Sequence, residues 1–182
     1  MNDAAISPIP EAALAASDHV LGDAHAKLTL LEYADYECPA CIQAEPLMQH
    51  LVATHPGRLR LVFRHFPLME VHPNAELAAE AADAAAAQGR FWPMHHLLFA
   101  QPHHLTPAAL VGHAQSLGLD MNRFNAEMAD HIYTQRIQEH RRAGERSGLR
   151  ATPAFFLNGQ AVDVSFGFEK LEEAVQSALK VA

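Results

Sequence analysis

The sequence Cys38-Pro39-Ala40-Cys41 constrains this chain more than any other segment, because it holds both of the chain's cysteines two residues apart. It follows an apolar run, residues 27–33, whose length and polar borders predict a buried strand. Pro39 suits the first position of a helix, since its ring fixes φ and it has no N–H to leave unbonded there. Cys38 is therefore predicted at a helix N-terminus, with Cys41 one turn further along.

This position favours redox chemistry at the cysteine pair. Free N–H groups and the helix dipole at a helix N-terminus stabilise an anion. We therefore expect the pKa of Cys38 to fall below the roughly 8.5 of a free thiol. Glu37, directly before Cys38, adds negative charge and should oppose the thiolate. Cys41 lies close enough to attack a mixed disulfide formed at Cys38.

Other roles for the pair have less support from the sequence. A structural disulfide between Cys38 and Cys41 would close a very small loop and add little stability. A zinc site needs about four ligands, and the chain has no second cysteine pair. The 13 histidines leave a Cys/His protein that handles copper or zinc as the alternative function. A redox-inert peptide-binding module is a third possibility.

Composition limits the class of protein. The length of 182 residues suits one domain with an inserted subdomain, and 49% hydrophobic residues can form a core. A net charge of −8 argues against nucleic acid as a partner. No apolar run approaches the roughly 18 residues of a membrane span. Residues 1–17 lack the features of a signal peptide, so we expect a flexible arm and a cytoplasmic protein, or a periplasmic one if a leader has been removed.

The remaining segments predict alternating strands and helices. Residues 39–54 predict a helix that ends before Pro56-Gly57, and residues 59–64 predict a second strand. Together with residues 27–33 they form a strand–helix–strand unit with parallel strands. Further helices are predicted at residues 74–88, 91–100, 107–117, 121–128 and 131–146.

The last third of the chain returns to strands. Residues 153–157 and 160–164 predict a hairpin around Asn158-Gly159, a strong turn signal, and residues 168–182 predict an amphipathic helix. This order predicts an α/β protein with a thioredoxin-like fold and an inserted all-helical subdomain. The predicted parts are the arm at 1–17, the thioredoxin-like domain at 18–72 and 149–182, and the insertion at 73–148.

The chain resembles the DsbA-like thiol–disulfide oxidoreductases over nearly its whole length. The matching segments are Leu31-Glu32-Tyr33, Cys38-Pro39-Ala40-Cys41, Arg64-His65-Phe66-Pro67-Leu68, Gly89-Arg90-Phe91-Trp92 and the run from Ala151-Thr152-Pro153 to Asn158-Gly159. The resemblance implies that Cys38 is the exposed nucleophile and Cys41 the resolving thiol. It implies that Pro153 is a cis-proline facing the disulfide and that Glu32 is a buried proton acceptor for Cys41.

The resemblance also implies a substrate class. Protein or peptide thiols and disulfides would bind beside Thr152, Pro39 and Ala40, and an unidentified redox partner would restore the cysteine pair. No cofactor and no metal ligand are expected. Many relatives carry histidine between the cysteines, where this chain has Pro-Ala. We therefore expect a less stabilised thiolate and a more reducing couple than in the strongest oxidases.

The histidines are assigned structural positions. We predict that His65 lies in a loop and makes local hydrogen bonds. The pairs His95-His96 and His103-His104 are predicted on the solvated surface rather than at a metal, because adjacent helical residues point about 100° apart.

Overall fold

The computed structural model describes residue 15 and residues 18–181. The predicted arm at 1–17 therefore falls almost entirely outside the described residues. Within the described part, five strands and seven helices follow one another. They are β1 (His19–Leu21), β2 (Leu28–Ala34), α1 (Pro39–Thr54), β3 (Leu59–His65), α2 (Ala75–Ala86), α3 (Phe91–Ala100), α4 (Pro107–Ser116), α5 (Met121–Ala129), α6 (Thr134–Arg146), β4 (Ala154–Leu157), β5 (Gln160–Val162) and α7 (Glu169–Val181).

The strands form one mixed sheet in the order β1-β3-β2-β4-β5. β2 and β3 are parallel and are joined by α1, as the sequence predicts. β4 pairs antiparallel with β2 and with β5. The β4–β5 turn is made by Asn158 and Gly159, both with positive φ (47° and 81°), which is the conformation that this residue pair favours. The predicted hairpin is thus confirmed.

Some predicted boundaries were wrong. β1 was not predicted, because a strand of three residues is too short to show an alternating pattern. α6 begins at Thr134 rather than at 131, since His131 has φ 50° and belongs to a turn. β5 ends at Val162 rather than at 164. The predicted end of the last helix, Ala182, lies outside the described residues.

The two faces of the sheet are covered differently. On one face, side chains of β2 and β3 that alternate along the strands pack against α1 and α7. On the opposite face, Leu31 and Tyr33 of β2 pack with Val62, Phe66 and Leu149. All seven residues of β2 are buried, so this strand is the centre of the fold.

Five helices, α2 to α6, lie between β3 and β4. Their buried side chains form one hydrophobic cluster with Phe63 of β3 and with Cys38 and Cys41. The cysteine pair is therefore part of the contact between the sheet and these helices. α4 begins as predicted, with the Thr106 side chain accepting a hydrogen bond from the backbone N–H of Ala109. The exact limits of the insertion, 73–148, stay a prediction.

Gly144 tests the packing of α6, and Gly112 in α4 is the control because it has open space around it. We expect Gly144→Ala to lower the free energy of unfolding by about 1–2 kcal/mol, although alanine favours a helix by about 1 kcal/mol. Its Cβ would lie 2.7 Å from Phe66 Cε2 and 3.1 Å from Leu149 Cδ1. Gly112→Ala in α4, where the Cβ would meet no atom within 4 Å, should raise it by about 0.5–1 kcal/mol. Urea denaturation measures both; equal gains would contradict the described packing.

Candidate active site

Cys38 is the N-cap of α1, and Pro39 is the first residue of that helix, as predicted. Cys38 has an extended backbone, with φ −75° and ψ 119°, so the helical N–H groups begin directly after it. Its own N–H donates to the backbone oxygen of Asp35 at 3.1 Å. The loop that leaves β2 is therefore a tight turn that delivers the sulfur to the helix N-terminus.

Two acidic side chains fix this loop to the segment that leads into α2. The buried carboxylate of Asp35 accepts from the N–H of Glu37 at 2.7 Å and of Leu68 at 2.8 Å, and lies 2.8 Å from His72 Nδ1. Glu37 accepts from the backbone and side-chain N–H groups of Asn74 at 2.6 and 3.0 Å. The negative charge of Glu37 thus lies at the start of α2, where a helix N-terminus stabilises it.

Both cysteines are buried, contrary to the exposed position expected for Cys38. Cys38 is 6% exposed and Cys41 is 0% exposed. Cys38 Sγ lies 3.4 Å from the carbonyl oxygen of Thr152, within the Thr152–Pro153 peptide group. That bond is cis, as the resemblance implied. The structure thus brings Cys38, Cys41 and Thr152–Pro153 together at the N-terminus of α1.

The thiols have opposite electrostatic environments. A hydrogen bond from the Cys41 side chain lowers the pKa of Cys38 to about 5, helped by Thr152 and by the N–H groups of Cys41 and Ala40, while burial opposes the shift. Burial raises the pKa of Cys41 well above its usual value, and the neighbouring Cys38 raises it further. At neutral pH the reduced pair therefore holds a thiolate at Cys38 and a thiol at Cys41.

Glu32 is buried as predicted. It lies on β2 opposite Phe63 of β3 and Phe155 of β4 and is 0% exposed. Neither carboxylate oxygen has a hydrogen-bond partner among the described residues. Burial, and then the charge of Glu45, raises the pKa of Glu32 well above its usual value. Glu32 in turn contributes to the raised pKa of Cys41, which places the acid near the resolving thiol.

The residues predicted beside substrate border the sulfur. Pro39 is exposed, and Ala40 and Thr152 are half-buried. The Thr152 hydroxyl is buried without a hydrogen-bond partner among the described residues. A cavity of about 290 Å³ includes Pro153 in its wall, between residues 148–151 and the β4–β5 hairpin. Their contact with substrate stays a prediction.

Two histidine predictions were wrong. His65 lies in β3 and is buried, and neither ring nitrogen has a hydrogen-bond partner among the described residues. His95 is fully buried, with Nδ1 3.0 Å from the Tyr36 hydroxyl and Nε2 3.2 Å from Glu45 Oε2. His103 and His104 are exposed, as expected.

Sequence analysis also missed four buried acids, which are Asp35, Glu45, Glu80 and Asp83. Asp35 organises the loop before Cys38, and Asp83 lies buried in the alanine-rich helix α2. The sequence carries no local signal for the burial of Asp83, because its partners His19 and His65 lie on distant strands. Among the described residues, neither Cys38 nor Cys41 belongs to a group of three or more side chains able to hold a metal.

The pH dependence of alkylation tests the difference between the two thiols. When the reduced protein reacts with limiting iodoacetamide, the label should fall on Cys38, with a rate midpoint near pH 5, because the thiolate is the nucleophile. Cys41→Ala removes the strongest hydrogen bond to that sulfur and should raise the midpoint. Preferential labelling of Cys41, or a midpoint near the roughly 8.5 of a free thiol, would contradict the assignment.

The burial of Glu32 predicts a pH-dependent loss of stability. A raised folded-state pKa means that the folded protein keeps a proton that the unfolded chain releases above about pH 4.3. From that pH upward, the oxidised protein should lose up to about 1.4 kcal/mol per pH unit relative to Glu32→Gln, until the folded-state pKa is passed. Urea denaturation across pH measures this. Glu173→Gln, at an exposed position of α7, is the control and should leave the pH dependence unchanged. Parallel pH curves for the wild type and Glu32→Gln would refute the assignment.

Comparison with solved structures relates this geometry to known proteins. A thioredoxin-like oxidoreductase from Silicibacter pomeroyi is 28% identical, with a TM-score of 0.78, 91% of this chain covered and 94% of that chain. BdbD from Bacillus subtilis shares the fold at 20% identity and a TM-score of 0.77, with 88% and 92% covered. The thiol-disulfide exchange protein α-DsbA2 from Wolbachia pipientis also shares it, at 17% identity and a TM-score of 0.78, with 90% and 88% covered.

Curated relatives are longer proteins. The Na⁺/H⁺ antiporter NhaA 3 of Salinispora tropica is 46% identical over 165 residues, which are 91% of this chain and 25% of the antiporter. The antiporter NhaA of Herminiimonas arsenicoxydans is 39% identical over 149 residues, 82% of this chain and 24% of that protein. The chain thus spans about a quarter of these relatives. None of the described helices is long and apolar enough to cross a membrane.

A family described as thioredoxin matches residues 15–177. The strand order, the five helices between β3 and β4 and the structural neighbours agree with that match. The chain therefore belongs to the thioredoxin family, and it has the α/β fold of the DsbA-like oxidoreductases.

Proposed function

We propose that this chain is a thiol–disulfide oxidoreductase that exchanges disulfides with protein or peptide thiols through Cys38 and Cys41. The observation that carries the proposal is the asymmetric pair at the start of α1. Cys38 has a pKa of about 5 and lies against the Thr152–Pro153 peptide group, while Cys41 is buried and protonated. A thiolate beside a protected thiol is the arrangement that disulfide exchange needs.

The reaction proceeds in two exchanges when the substrate is a disulfide. The Cys38 thiolate attacks one substrate sulfur, the substrate S–S bond breaks, and its second sulfur leaves as a thiolate that takes up a proton. Cys41 then loses its proton and attacks Cys38 Sγ. This forms the Cys38–Cys41 disulfide and releases the remaining substrate thiol. The reverse sequence oxidises a substrate dithiol.

We propose that Glu32, in its ionised form, accepts the proton of Cys41. The resolving step requires deprotonation of a thiol whose pKa burial has raised, and bulk water does not reach it. Glu32 lies in the same buried region and has no competing hydrogen-bond partner among the described residues. Forming the mixed disulfide also removes the Cys38 charge that raises the pKa of Cys41.

An extended substrate segment is proposed to lie beside Thr152 and Pro153, with Pro39 and Ala40 as the opposite border. The exposure of Pro39 and the position of Thr152 against the sulfur support this placement. Such a segment would pair through its backbone, as in strand addition, so that binding depends little on its side chains. It would allow different proteins to serve as substrates.

The pKa of the Cys38 thiol bears on the reduction potential of the pair. A pKa of about 5 stabilises the reduced form more than the roughly 7 of thioredoxin and less than the 3.5 of the strongest bacterial oxidant. We therefore propose a reduction potential between about −270 and −120 mV, the values of those two proteins. Equilibration with glutathione buffers measures it.

The curated relatives suggest where such a domain works. Proteins named Na⁺/H⁺ antiporters contain a segment up to 47% identical to this chain. We propose as a second function that the chain exchanges disulfides on an antiporter-type membrane protein, either joined to it or as a separate partner. The alternative of copper or zinc handling by the cysteines has less support, since among the described residues no three-ligand group includes them.

Single-cysteine variants test the proposed exchange. Cys41→Ser should accumulate a covalent adduct with a disulfide-bearing peptide, because the resolving thiol is gone, and a reductant should cleave the adduct. Cys38→Ser should form no adduct, and both variants should lose the ability to accelerate insulin reduction. Intact mass spectrometry and insulin turbidity report the two results. Turnover that survives in Cys38→Ser would refute the proposed mechanism.

A further inference from the structure

A second cluster of chemically active side chains lies where the sheet meets α2. His19 of β1 and Phe63 of β3 are register partners, so both face the same side of the sheet. His65, two residues after Phe63, points to that side as well. Asp83 of α2 covers both histidines, with Oδ1 2.6 Å from His19 Nε2 and 3.6 Å from His65 Nε2. One ligand atom from each residue lies within 4.8 Å of the others, and all three residues are buried.

The hydrogen bonding of this cluster is incomplete. Neither ring nitrogen of His65 has a hydrogen-bond partner among the described residues, and the same holds for Asp83 Oδ2. Buried polar atoms in folded proteins are almost always bonded to protein, water or an ion. Two buried imidazoles and a carboxylate, of which His65 and Asp83 Oδ2 lack hydrogen-bond partners among the described residues, form a donor set that suits a transition-metal ion.

We propose that His19, His65 and Asp83 bind a divalent transition-metal ion such as Zn²⁺ at the junction of the sheet and α2. The set offers three protein ligands and leaves at least one position for water or another group. The site is separate from the Cys38–Cys41 pair, and the proposal does not depend on the thiol chemistry.

Small movements would convert the cluster into a metal site. Ligands about 2.1 Å from a tetrahedral ion lie about 3.4 Å apart. His19 Nε2 and Asp83 Oδ1 would have to separate from 2.6 Å, whereas His65 Nε2 is already 3.6 Å from the same oxygen. The His19 ring stacks on Phe91, with centroids 3.5 Å apart and planes 8° from parallel, which fixes the direction of its nitrogens.

The arrangement of charged groups favours a cation. Asp83 is a fully buried carboxylate that faces two imidazoles and one arginine. Arg136 competes, with Nη1 3.6 Å from Asp83 Oδ1, but this side chain is 36% exposed and can turn towards solvent. His140 stacks on His65 with ring centroids 5.9 Å apart.

The described residues contain a second group of three possible ligands, which serves as the comparison. Glu45, His95 and His96 also lie close together. Their donor atoms are already bonded: Glu45 joins both histidines and Gln49, and Tyr36 bonds to His95. A metal there would have to break several hydrogen bonds. A metal bound by His65 would instead coordinate a ring nitrogen that has no hydrogen-bond partner among the described residues.

The experiment uses the full chain with Cys38→Ser and Cys41→Ser, so that no thiol binds metal. After chelation and dialysis, Co²⁺ is titrated with detection by visible absorption, and Zn²⁺ by competition with a chromophoric chelator. We expect one equivalent of each ion to bind. His65→Asn and Asp83→Asn should each weaken binding at least tenfold, and His96→Asn, the matched control in the second group, should leave it unchanged.

Three results would overturn the proposal: no binding in the cysteine-free chain, binding that His65→Asn leaves intact, or binding that is lost only in His96→Asn. Circular dichroism checks that each variant folds. If His65→Asn does not fold, proton NMR of the cysteine-free chain with Co²⁺ decides. Paramagnetic shifts of the His19 and His65 ring protons support the site, and shifts confined to His95 and His96 refute it.

Discussion

The complete burial of β2 is the constraint on which the rest of the structure depends. A strand that pairs on both edges and is buried at every position needs cover on both faces. α1 and α7 cover one face, and Tyr33 packs with Phe66 and Phe156 on the other. Because β2 is buried along its whole length, Glu32 is shielded from water. The loop after Ala34 leads directly to the start of α1. The raised pKa of Glu32 follows from this placement.

Features with a local cause could be predicted from sequence. Pro39 sets the start of α1, and Asn158-Gly159 sets the turn of the hairpin, because each acts through its own backbone preference. The burial of Glu32 and the position of Cys38 follow from the strand and helix that hold them. β1 was not predicted, because its three residues form a strand only by pairing with β3, and no local sequence pattern indicates that pairing.

Features set by distant partners could not be predicted. The exposed position expected for His95 was wrong, because its ring forms a buried hydrogen bond with Glu45, 50 residues earlier. The loop position expected for His65 failed because β3 continues through it beside α2. That the Glu37 carboxylate bonds to Asn74, 37 residues away, could not be predicted either, and its expected opposition to the Cys38 thiolate stays a prediction. In each case the deciding contact joins parts of the chain that only the tertiary fold brings together.

The network around Asp35 has a consequence for the preorganisation of the N-terminus of α1. Its carboxylate holds the N–H groups of Glu37 and Leu68, and its backbone oxygen holds that of Cys38. The loop is therefore fixed when the chain folds, and the N–H groups of Ala40 and Cys41 that bond to Cys38 are in place before charge develops on its sulfur. Solvent around a free thiol must reorient each time the charge on sulfur changes, whereas these groups are already oriented. Asp35 thus shapes the environment of this sulfur through the backbone that carries it.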